Sequence, residues 1–178
     1  MPQSDPARIV VVMGVSSSGK STVGAGLSKS LGVPFLDGDG YHPPENVEKM
    51  RAGTPLTDED RWPWLERLSQ ALAASAGKNG AVVGACSALK RSYRDFITEK
   101  AGEPVLFVHL HGTRELLAER IAARHHEYMP ASLLDSQIAT LEVPAPDENA
   151  LIVPIEPPVE EIVRQIRAQS RIAPARPS

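Results

Sequence analysis

Cysteine is almost absent from this sequence, since Cys86 is the only one in the chain. A single thiol excludes an internal disulfide, and we predict that Cys86 is a small core residue rather than a nucleophile. No apolar run approaches the ~20 residues that a membrane-spanning helix needs. The first residues also lack the basic start and the long apolar stretch of a signal peptide. These absences predict a cytoplasmic protein with no membrane partner.

A strong net charge is also missing, because the formal value is -3 at pH 7. Nucleic-acid-binding proteins usually carry a clear excess of basic residues, so no nucleic-acid partner is expected. The length of 178 residues suits one domain with a core of its own. We therefore predict a single domain over residues 1–178, in which an anionic ligand would meet a local group of basic side chains.

β-Branched apolar runs alternate with amphipathic segments along the whole chain. This alternation is typical of an α/β protein with a parallel sheet that is covered by helices on both faces. The Pro-rich end, residues 171–178, is predicted to be a disordered tail. Strands are predicted at residues 8–13, 33–36, 81–85, 105–110 and 151–155. Helices are predicted at residues 20–31, 45–52, 57–77, 87–100, 113–124 and 133–141, with a last one from residue 158.

Residues 14–21 read GVSSSGKS and lie between the first predicted strand and the first predicted helix. They match G-x-x-x-x-G-K-[ST], the P-loop motif that binds nucleotide phosphates, at every fixed position. Backbone N–H groups of such a loop wrap the phosphate, and the following helix presents its positive end to it. Lys20 is expected to reach the β- and γ-phosphates, and Ser21 to hold Mg²⁺. The predicted nucleotide site comprises Gly14, Val15, Ser16, Ser17, Ser18, Gly19, Lys20, Ser21 and Thr22.

Many P-loop proteins hold Mg²⁺ with an acid at the end of a later strand. The third predicted strand ends in Ala85-Cys86-Ser87 and the fourth in Leu110-His111, so neither supplies an acid. The candidates are Asp37 and Asp39 at the end of the second strand, which an adjacent parallel arrangement would place beside the P-loop. One carboxylate could serve Mg²⁺ and the other a substrate hydroxyl, although a simple polar turn would have the same sequence.

Basic residues are concentrated at the start of the fourth predicted helix, as Lys90, Arg91 and Arg94. The helix macrodipole disfavours cations at that end, and only Asp95 is nearby in the sequence to compensate them. Lys90 and Arg94 are four residues apart and would share a helix face. This pattern predicts either an anionic ligand or a solvated basic surface.

A second polar cluster follows the turn at Asp39 and includes His42, Lys49 and Arg61. The density of polar side chains between two short helices indicates a substrate pocket. We therefore predict an acceptor-binding region at about residues 40–75.

Arg120 and Arg124 precede a polar break in the sequence. A phosphoryl-transfer enzyme needs cations on the transferred group and a lid that excludes water. These residues indicate such a lid at about residues 124–132, although an exposed basic helix end would give the same pattern.

Four segments together resemble the bacterial-type gluconokinases, which are P-loop small-molecule kinases. The segments are GVSSSGKST, FLDGDGYHPPENVEKMRAGTPLTDEDRWPWL, CSALKRSYRD and SLLDSQIATLEVP, in that order and spacing. The P-loop alone is generic, whereas the long second segment is specific to the family. The resemblance covers roughly residues 9–163, which is nearly the whole chain.

The resemblance implies a three-layer, nucleoside-monophosphate-kinase-like fold with a five-stranded parallel sheet and a short lid. It also implies a homodimer that transfers phosphate from ATP to D-gluconate with the help of Mg²⁺. By similarity, the adenine would lie near Pro154 and Pro158. The implied roles are Mg²⁺ ligand for Asp37, base for Asp39, sugar-acid binding for Lys90 and Arg94, and phosphate contacts for Arg120 or Arg124.

The chain departs from the family pattern at two places. The family usually has Gly where this chain has Ser17, so a positive φ at this position would strain the serine. In the lid, the usual Gly-His-Phe-Met is replaced by His126-Glu127-Tyr128-Met129, which removes a Gly and a His. The substrate loop is intact, so the predicted acceptor does not change.

Two other functions fit parts of the sequence. A kinase for another small hydroxylated acid, such as shikimate, would use the same scaffold. A regulatory module that hydrolyses ATP slowly would need an acid on the third strand or a guanine-reading Asn-Lys-x-Asp, and the sequence has neither. An ADP-release assay across sugar acids separates the first alternative from a gluconokinase, and ATP binding without acceptor phosphorylation would indicate the second.

Overall fold

The computed structural model describes residues 5–123 and 131–177. The strands are β1 (Ile9–Met13), β2 (Phe35–Asp37), β3 (Val82–Ala85), β4 (Val105–His111) and β5 (Ala150–Pro154). The helices are α1 (Lys20–Leu31), α2 (Pro44–Arg51), α3 (Asp58–Asn79), α4 (Arg91–Ala101), α5 (Arg114–Ala123), α6 (Ala131–Thr140) and α7 (Val159–Gln169). None of these described helices has the length and apolarity that crossing a bilayer requires.

The five strands form one parallel sheet in the order β2-β3-β1-β4-β5, as predicted for an α/β fold. Strand β1 lies in the middle, and all five of its residues are buried. Its alternate side chains contribute to two separate hydrophobic clusters, one with α1, α5, α6 and α7 and the other with α3 and α4. Burial on both faces explains why the strand is an uninterrupted apolar run.

Strand β3 lies between β1 and β2, so the predicted adjacency of the first two strands is wrong. The sequence pattern of an α/β protein fixes alternation but leaves strand order to tertiary packing. The end of β2 nevertheless lies beside the P-loop, because α1 passes over the sheet toward it. The ring of Phe35 packs so closely on α1 that a Cβ at Gly24 would lie 2.5 Å from it.

Helix α3 begins with a capping box formed by Thr57 and Asp60. The Thr57 hydroxyl accepts the Asp60 N–H at 3.2 Å, and the Asp60 carboxylate accepts the Thr57 N–H at 2.9 Å. These two bonds satisfy donors that the first turn of a helix leaves unpaired. The cap fixes the point at which α3 enters the acceptor region.

The predicted disordered tail is wrong for most of its length, because residues 171–176 are bonded to the rest of the fold. Ala7 N–H donates to the Arg171 carbonyl at 2.8 Å, and Ala173 N–H donates back to Ala7 at 2.7 Å. Arg176 N–H donates to the Asn79 carbonyl at 2.7 Å. A Pro-rich segment can form such backbone bonds along an edge, although its composition alone resembles a frayed end.

Candidate active site

The P-loop joins β1 to α1 in a tight turn. Gly14 has φ of 151°, and a Cβ at this position would lie 2.8 Å from the Ser18 hydroxyl oxygen. The Ser18 hydroxyl donates to the Val15 carbonyl at 2.7 Å and closes the turn. The Lys20 ammonium donates to the same carbonyl at 3.1 Å, so it lies across the loop. Helix α1 begins at Lys20 without a side-chain cap, so its first amides are available to the phosphates that a P-loop binds.

Ser17 has φ of 68°, which is the left-handed region. The predicted strain at this position is confirmed, because an L-residue in that region costs about 1–2 kcal/mol and glycine does not pay this penalty.

Two aspartates lie at the end of β2, beside the first turn of α1. The Ser21 hydroxyl donates to Asp37 Oδ2 at 3.0 Å. The other carboxylate oxygen of Asp37 accepts the Asp39 N–H at 3.1 Å, which fixes its orientation. The structure thus brings together the hydroxyl and the carboxylate that were predicted to hold Mg²⁺.

Asp39 lies in a 3₁₀ turn that is fixed to the sheet and to α3. A Cβ at Gly38 would lie 2.4 Å from the Ala85 carbonyl, and the Trp64 indole N–H donates to the Gly38 carbonyl at 2.7 Å. Burial and the negative charge of Asp37 raise the pKa of Asp39, while Lys20 lowers it. A carboxylate with a raised pKa is a better proton acceptor, so the placement suits a general base.

His42 directly follows this turn. Its ring stacks on Trp64 with centroids 4.0 Å apart. Asn46 Nδ2 donates to the Asp60 carbonyl at 2.8 Å and contacts His42 Nδ1 at 3.2 Å. Burial and then Arg61 lower the pKa of His42 to about 4, so the ring is neutral at pH 7. Since Nδ1 accepts from Asn46, Nε2 carries the proton and can donate to a ligand oxygen.

A basic cluster of Lys90 and Arg61 surrounds Tyr93 at the starts of α3 and α4. Lys90 contacts Asp58 at 3.2 Å, and the Tyr93 hydroxyl donates to the same carboxylate at 2.5 Å. Arg61 lies over the Tyr93 ring, with 5.3 Å from its guanidinium carbon to the ring centroid. Its Nε is buried without a hydrogen-bond acceptor, and within residues 5–123 and 131–177 it has no salt bridge. Arg61 Nη2 donates to the Leu56 carbonyl at 3.5 Å, and its charge adds to the effects of Tyr93 and Lys90 that lower the pKa of the nearby Asp58. A half-buried guanidinium with an unpaired Nε suits an anionic ligand.

Arg94 is buried and paired with protein groups, which corrects the expectation that it binds the acceptor. Its side chain is 1% exposed and forms an ion pair with Glu148 at 2.7 Å. It also donates to the carbonyls of Ala88 and Glu142, at 2.9 Å each. Helix α4 begins only at Arg91, so Lys90 and Arg94 do not share a helix face as predicted.

Two other predicted residues have protein partners. The Lys49 ammonium donates to both carboxylate oxygens of Asp60, at 2.9 and 2.8 Å. Arg91 forms a bidentate pair with Asp147, at 3.1 and 2.7 Å. Arg91 therefore has a carboxylate partner 56 residues later in the chain, in addition to Asp95 at 4.0 Å.

Arg120 lies beside the P-loop, and Arg124 lies outside the described residues. Arg120 donates to the Ile155 carbonyl at 2.9 Å, and a Cβ at Gly19 would lie 4.0 Å from its guanidinium. This position is consistent with a phosphate contact. Most of the lid predicted at about residues 124–132 also lies outside the described residues, which resume with α6, so its role stays a prediction.

Cys86 is 2% exposed at the end of β3. Burial raises the pKa of its thiol to about 12, so no thiolate forms at neutral pH. The predicted core role is confirmed.

Sequence reasoning missed Gln137 as a functional residue. Its side-chain oxygen accepts the Ser16 N–H of the P-loop at 2.7 Å. The segment SLLDSQIATLEVP contains it, but nothing in the spacing indicated a contact with a loop so far away in the chain.

Comparisons with known proteins agree with this geometry. A family model described as shikimate kinase matches residues 16–171. Fold and site together define a P-loop small-molecule kinase. A gluconokinase from Gluconobacter oxydans is 48% identical over 168 residues, which cover 91% of this chain and 93% of that protein. A gluconokinase structure from Sinorhizobium meliloti 1021 is 48% identical with a TM-score of 0.82, and covers 93% of this chain and 92% of that one. The chain belongs to the gluconokinase family.

The shikimate alternative is not favoured by these comparisons. A shikimate kinase structure from Aquifex aeolicus is 22% identical with a TM-score of 0.55, over 90% of this chain and 94% of that one. This likeness shows the shared fold alone. The predicted resemblance to gluconokinases is confirmed.

Proposed function

We propose that the protein transfers the γ-phosphoryl group of ATP to the terminal hydroxyl of D-gluconate, giving 6-phospho-D-gluconate and ADP. The observation that supports this most directly is the position of the Asp37–Asp39 turn. The turn lies beside the P-loop, and it leads directly into His42, whose pKa is lowered by burial and by the nearby Arg61. Arg61 is a cation with no salt bridge in the described part of the chain. The donor, the base and the anion site are therefore neighbours.

The nucleotide end fits ATP with Mg²⁺. Mg²⁺ binds to one or two protein oxygens and takes its other ligands from phosphates and water. Ser21 and Asp37 provide such oxygens, 3.0 Å apart. The described residues contain no cluster of three or more His, Cys, Asp or Glu side chains, which a protein-enclosed metal would need. Bound there, Mg²⁺ would neutralise charge on the β- and γ-phosphates.

The phosphoryl acceptor is activated by Asp39. Its carboxylate accepts the proton of the terminal hydroxyl as that oxygen attacks the γ-phosphorus, and the bond to the β-phosphate oxygen breaks. Lys20, Arg120 and the amides of the P-loop stabilise the charge that develops on the phosphates. Arg124 is proposed to join them from the lid.

The acid group of the substrate is recognised by Arg61 and Lys90. Arg61 has an Nε–H donor without an acceptor, and the Lys90 side chain remains 32% exposed beside Asp58. The neutral His42 donates from Nε2 to a hydroxyl of the sugar chain. Lys49 is paired with Asp60. Its proposed role is therefore to contact hydroxyl groups of the substrate and not the acid group.

An ADP-release assay with matched acceptors tests this proposal. D-Gluconate should support turnover, whereas D-glucose, which has the same terminal hydroxyl and no carboxylate, should give the no-acceptor rate. Arg61→Met should raise the gluconate KM by roughly tenfold or more, because a charged hydrogen bond contributes about 1.5–3 kcal/mol. The ATP KM should change less than twofold.

Arg67→Met is the control for this variant, because Arg67 is exposed on the same helix. It should leave both KM values in place. If gluconate gives no turnover and another acid does, the proposed acceptor is wrong.

The resemblance also supports a homodimer in the cytoplasm. Light scattering at micromolar concentration would measure the mass, and cell fractionation would measure the location. A monomer over the whole concentration range would contradict the first proposal.

A further inference from the structure

One peptide group of the P-loop, between Val15 and Ser16, is held at both of its ends. Its carbonyl oxygen accepts the Lys20 ammonium at 3.1 Å and the Ser18 hydroxyl at 2.7 Å. Its N–H donates to Gln137 Oε1 at 2.7 Å. Because both bonds use the same planar peptide, the orientation that Gln137 imposes on the N–H also sets the direction of the carbonyl that holds Lys20.

Gln137 is carried by a helix that is itself fixed. Leu134, one turn earlier on α6, is fully buried. Asp135 forms a bidentate pair with Arg114 of α5, at 2.6 and 3.1 Å. Beyond the helix, the Glu142 carboxylate accepts the Arg91 N–H at 3.0 Å at the start of α4. The amide of Gln137 therefore meets the P-loop from a helix that is anchored mainly by the buried Leu134, since the exposed Asp135–Arg114 pair adds little.

We propose that Gln137 is a positioning residue for phosphoryl transfer, which holds the Val15–Ser16 peptide so that its carbonyl keeps the Lys20 ammonium against the nucleotide phosphates. The proposal rests on the proposed function only in taking ATP as the donor. Lysine has a flexible four-carbon stem, and fixing it before binding reduces the entropy lost when ATP arrives. The adjacent Ser17 is already in a left-handed conformation, so this part of the loop needs an external contact to stay in one shape.

The chemistry of the side chain agrees with this role. An amide oxygen accepts the N–H without placing a negative charge beside the phosphates, as a carboxylate would. Gln137 is therefore suited to hold the loop while leaving the positive potential of the site intact.

A thermodynamic cycle on nucleotide binding tests the inference with the full-length protein. Isothermal titration with a non-hydrolysable ATP analogue and Mg²⁺ measures Kd for the unmodified chain, Gln137→Met, Lys20→Ala and the double variant. Gln137→Met should weaken binding by roughly fivefold to tenfold when Lys20 is present, from the loss of one hydrogen bond and of the ordered lysine. It should weaken binding less than twofold when Lys20 is absent, because the two residues act through one peptide.

Equal losses in both backgrounds, or no loss with Lys20 present, would overturn the proposal. Gln137→Ala removes the same acceptor and passes through the same cycle, so the outcome does not depend on one replacement folding. Gln70→Met makes the same chemical change on the exposed side of α3 and should leave Kd unchanged. In turnover, Gln137→Met should lower kcat by roughly tenfold while the acceptor KM stays within twofold. The binding cycle contains no acceptor, so its result is separate from the question of whether gluconate is the substrate.

Discussion

Replacing Ser17 by glycine should stabilise this protein, although glycine usually destabilises a fold. The residue has φ of 68°, a conformation in which the Cβ of an L-residue crowds the following carbonyl. Its hydroxyl forms no hydrogen bond within residues 5–123 and 131–177, so the substitution removes no side-chain bond there. The change therefore acts through the backbone alone.

Two opposing terms set the size of the effect. Relief of the left-handed conformation contributes about 1–2 kcal/mol to the folded state. The greater freedom of glycine in the unfolded chain removes about 0.4–1 kcal/mol. The net gain in the free energy of unfolding should be roughly 0.5–1 kcal/mol, which corresponds to about 1–4 °C in Tm for a domain of this size.

Urea denaturation at pH 7 measures this gain. Nucleotide has to be absent, because a ligand that binds only the folded state raises the apparent stability. The midpoint should rise with an unchanged m-value, and the Kd for an ATP analogue should stay within twofold, since glycine adopts the same backbone shape. Ser16→Gly is the matched control, because Ser16 is not among the described non-glycine residues with positive φ. That change should destabilise by about 0.5–1 kcal/mol.

A Ser17→Gly protein that is no more stable than the original would refute the reasoning. Equal effects of the two substitutions would do the same, because the argument depends on the difference in φ between neighbouring serines.

Three further predictions concern the base, the buried ion pair and a buried histidine. Asp39→Asn should lower kcat by roughly 100-fold or more and leave the ATP KM unchanged. The kcat of the original protein should fall as pH decreases through the raised pKa of Asp39. If the variant instead loses ATP binding, Asp39 is a Mg²⁺ ligand. Glu148→Gln should lower the free energy of unfolding by about 3 kcal/mol in urea denaturation, because it removes the partner of the buried Arg94. The gluconate KM should not change. A raised KM with normal stability would indicate that Arg94 binds the substrate. Burial, and then His111 and Arg94, lower the pKa of His109 to about 4. As pH decreases below about 6.5, the unfolded chain binds a proton at this histidine and the folded chain does not. The free energy of unfolding therefore decreases as pH decreases from about 6.5 to 4. His109→Phe should remove about 2 kcal/mol of the stability difference between pH 7.5 and pH 5. His111→Phe at the exposed strand end should preserve most of this difference, because burial is a larger cause of the lowered pKa than His111.

Local features of the fold could be predicted because their causes are local. The β1 strand follows from an apolar run, the start of α3 from the capping box at Thr57, and the phosphate site from the spacing of residues 14–21. Strain at Ser17 could also be predicted, because the resembling family usually has Gly at this position and glycine is the residue that tolerates a positive φ.

Long-range pairings could not be predicted, since nothing in the neighbouring sequence encodes them. Arg94 pairs with a carboxylate 54 residues later, and the P-loop amide of Ser16 is bound 121 residues away. The backbone bonds of Arg171 to Ala7 likewise join the two ends of the described chain. Each contact depends on which elements the sheet order brings together, and the order itself is a tertiary property.

The basic residues show why this distinction matters for substrate recognition. A cation enclosed by protein is destabilising unless a carboxylate or a ligand compensates it, so the partner of each cation reveals its role. Arg94 is fully enclosed and paired, which makes it structural. Lys49 is paired at the surface, and Lys90 is paired but partly exposed. Arg61 has a buried Nε with no acceptor and no salt bridge among the described residues, and the nearby Asp58 carboxylate offsets its charge from a longer distance. We infer that the acid group of the substrate completes this compensation.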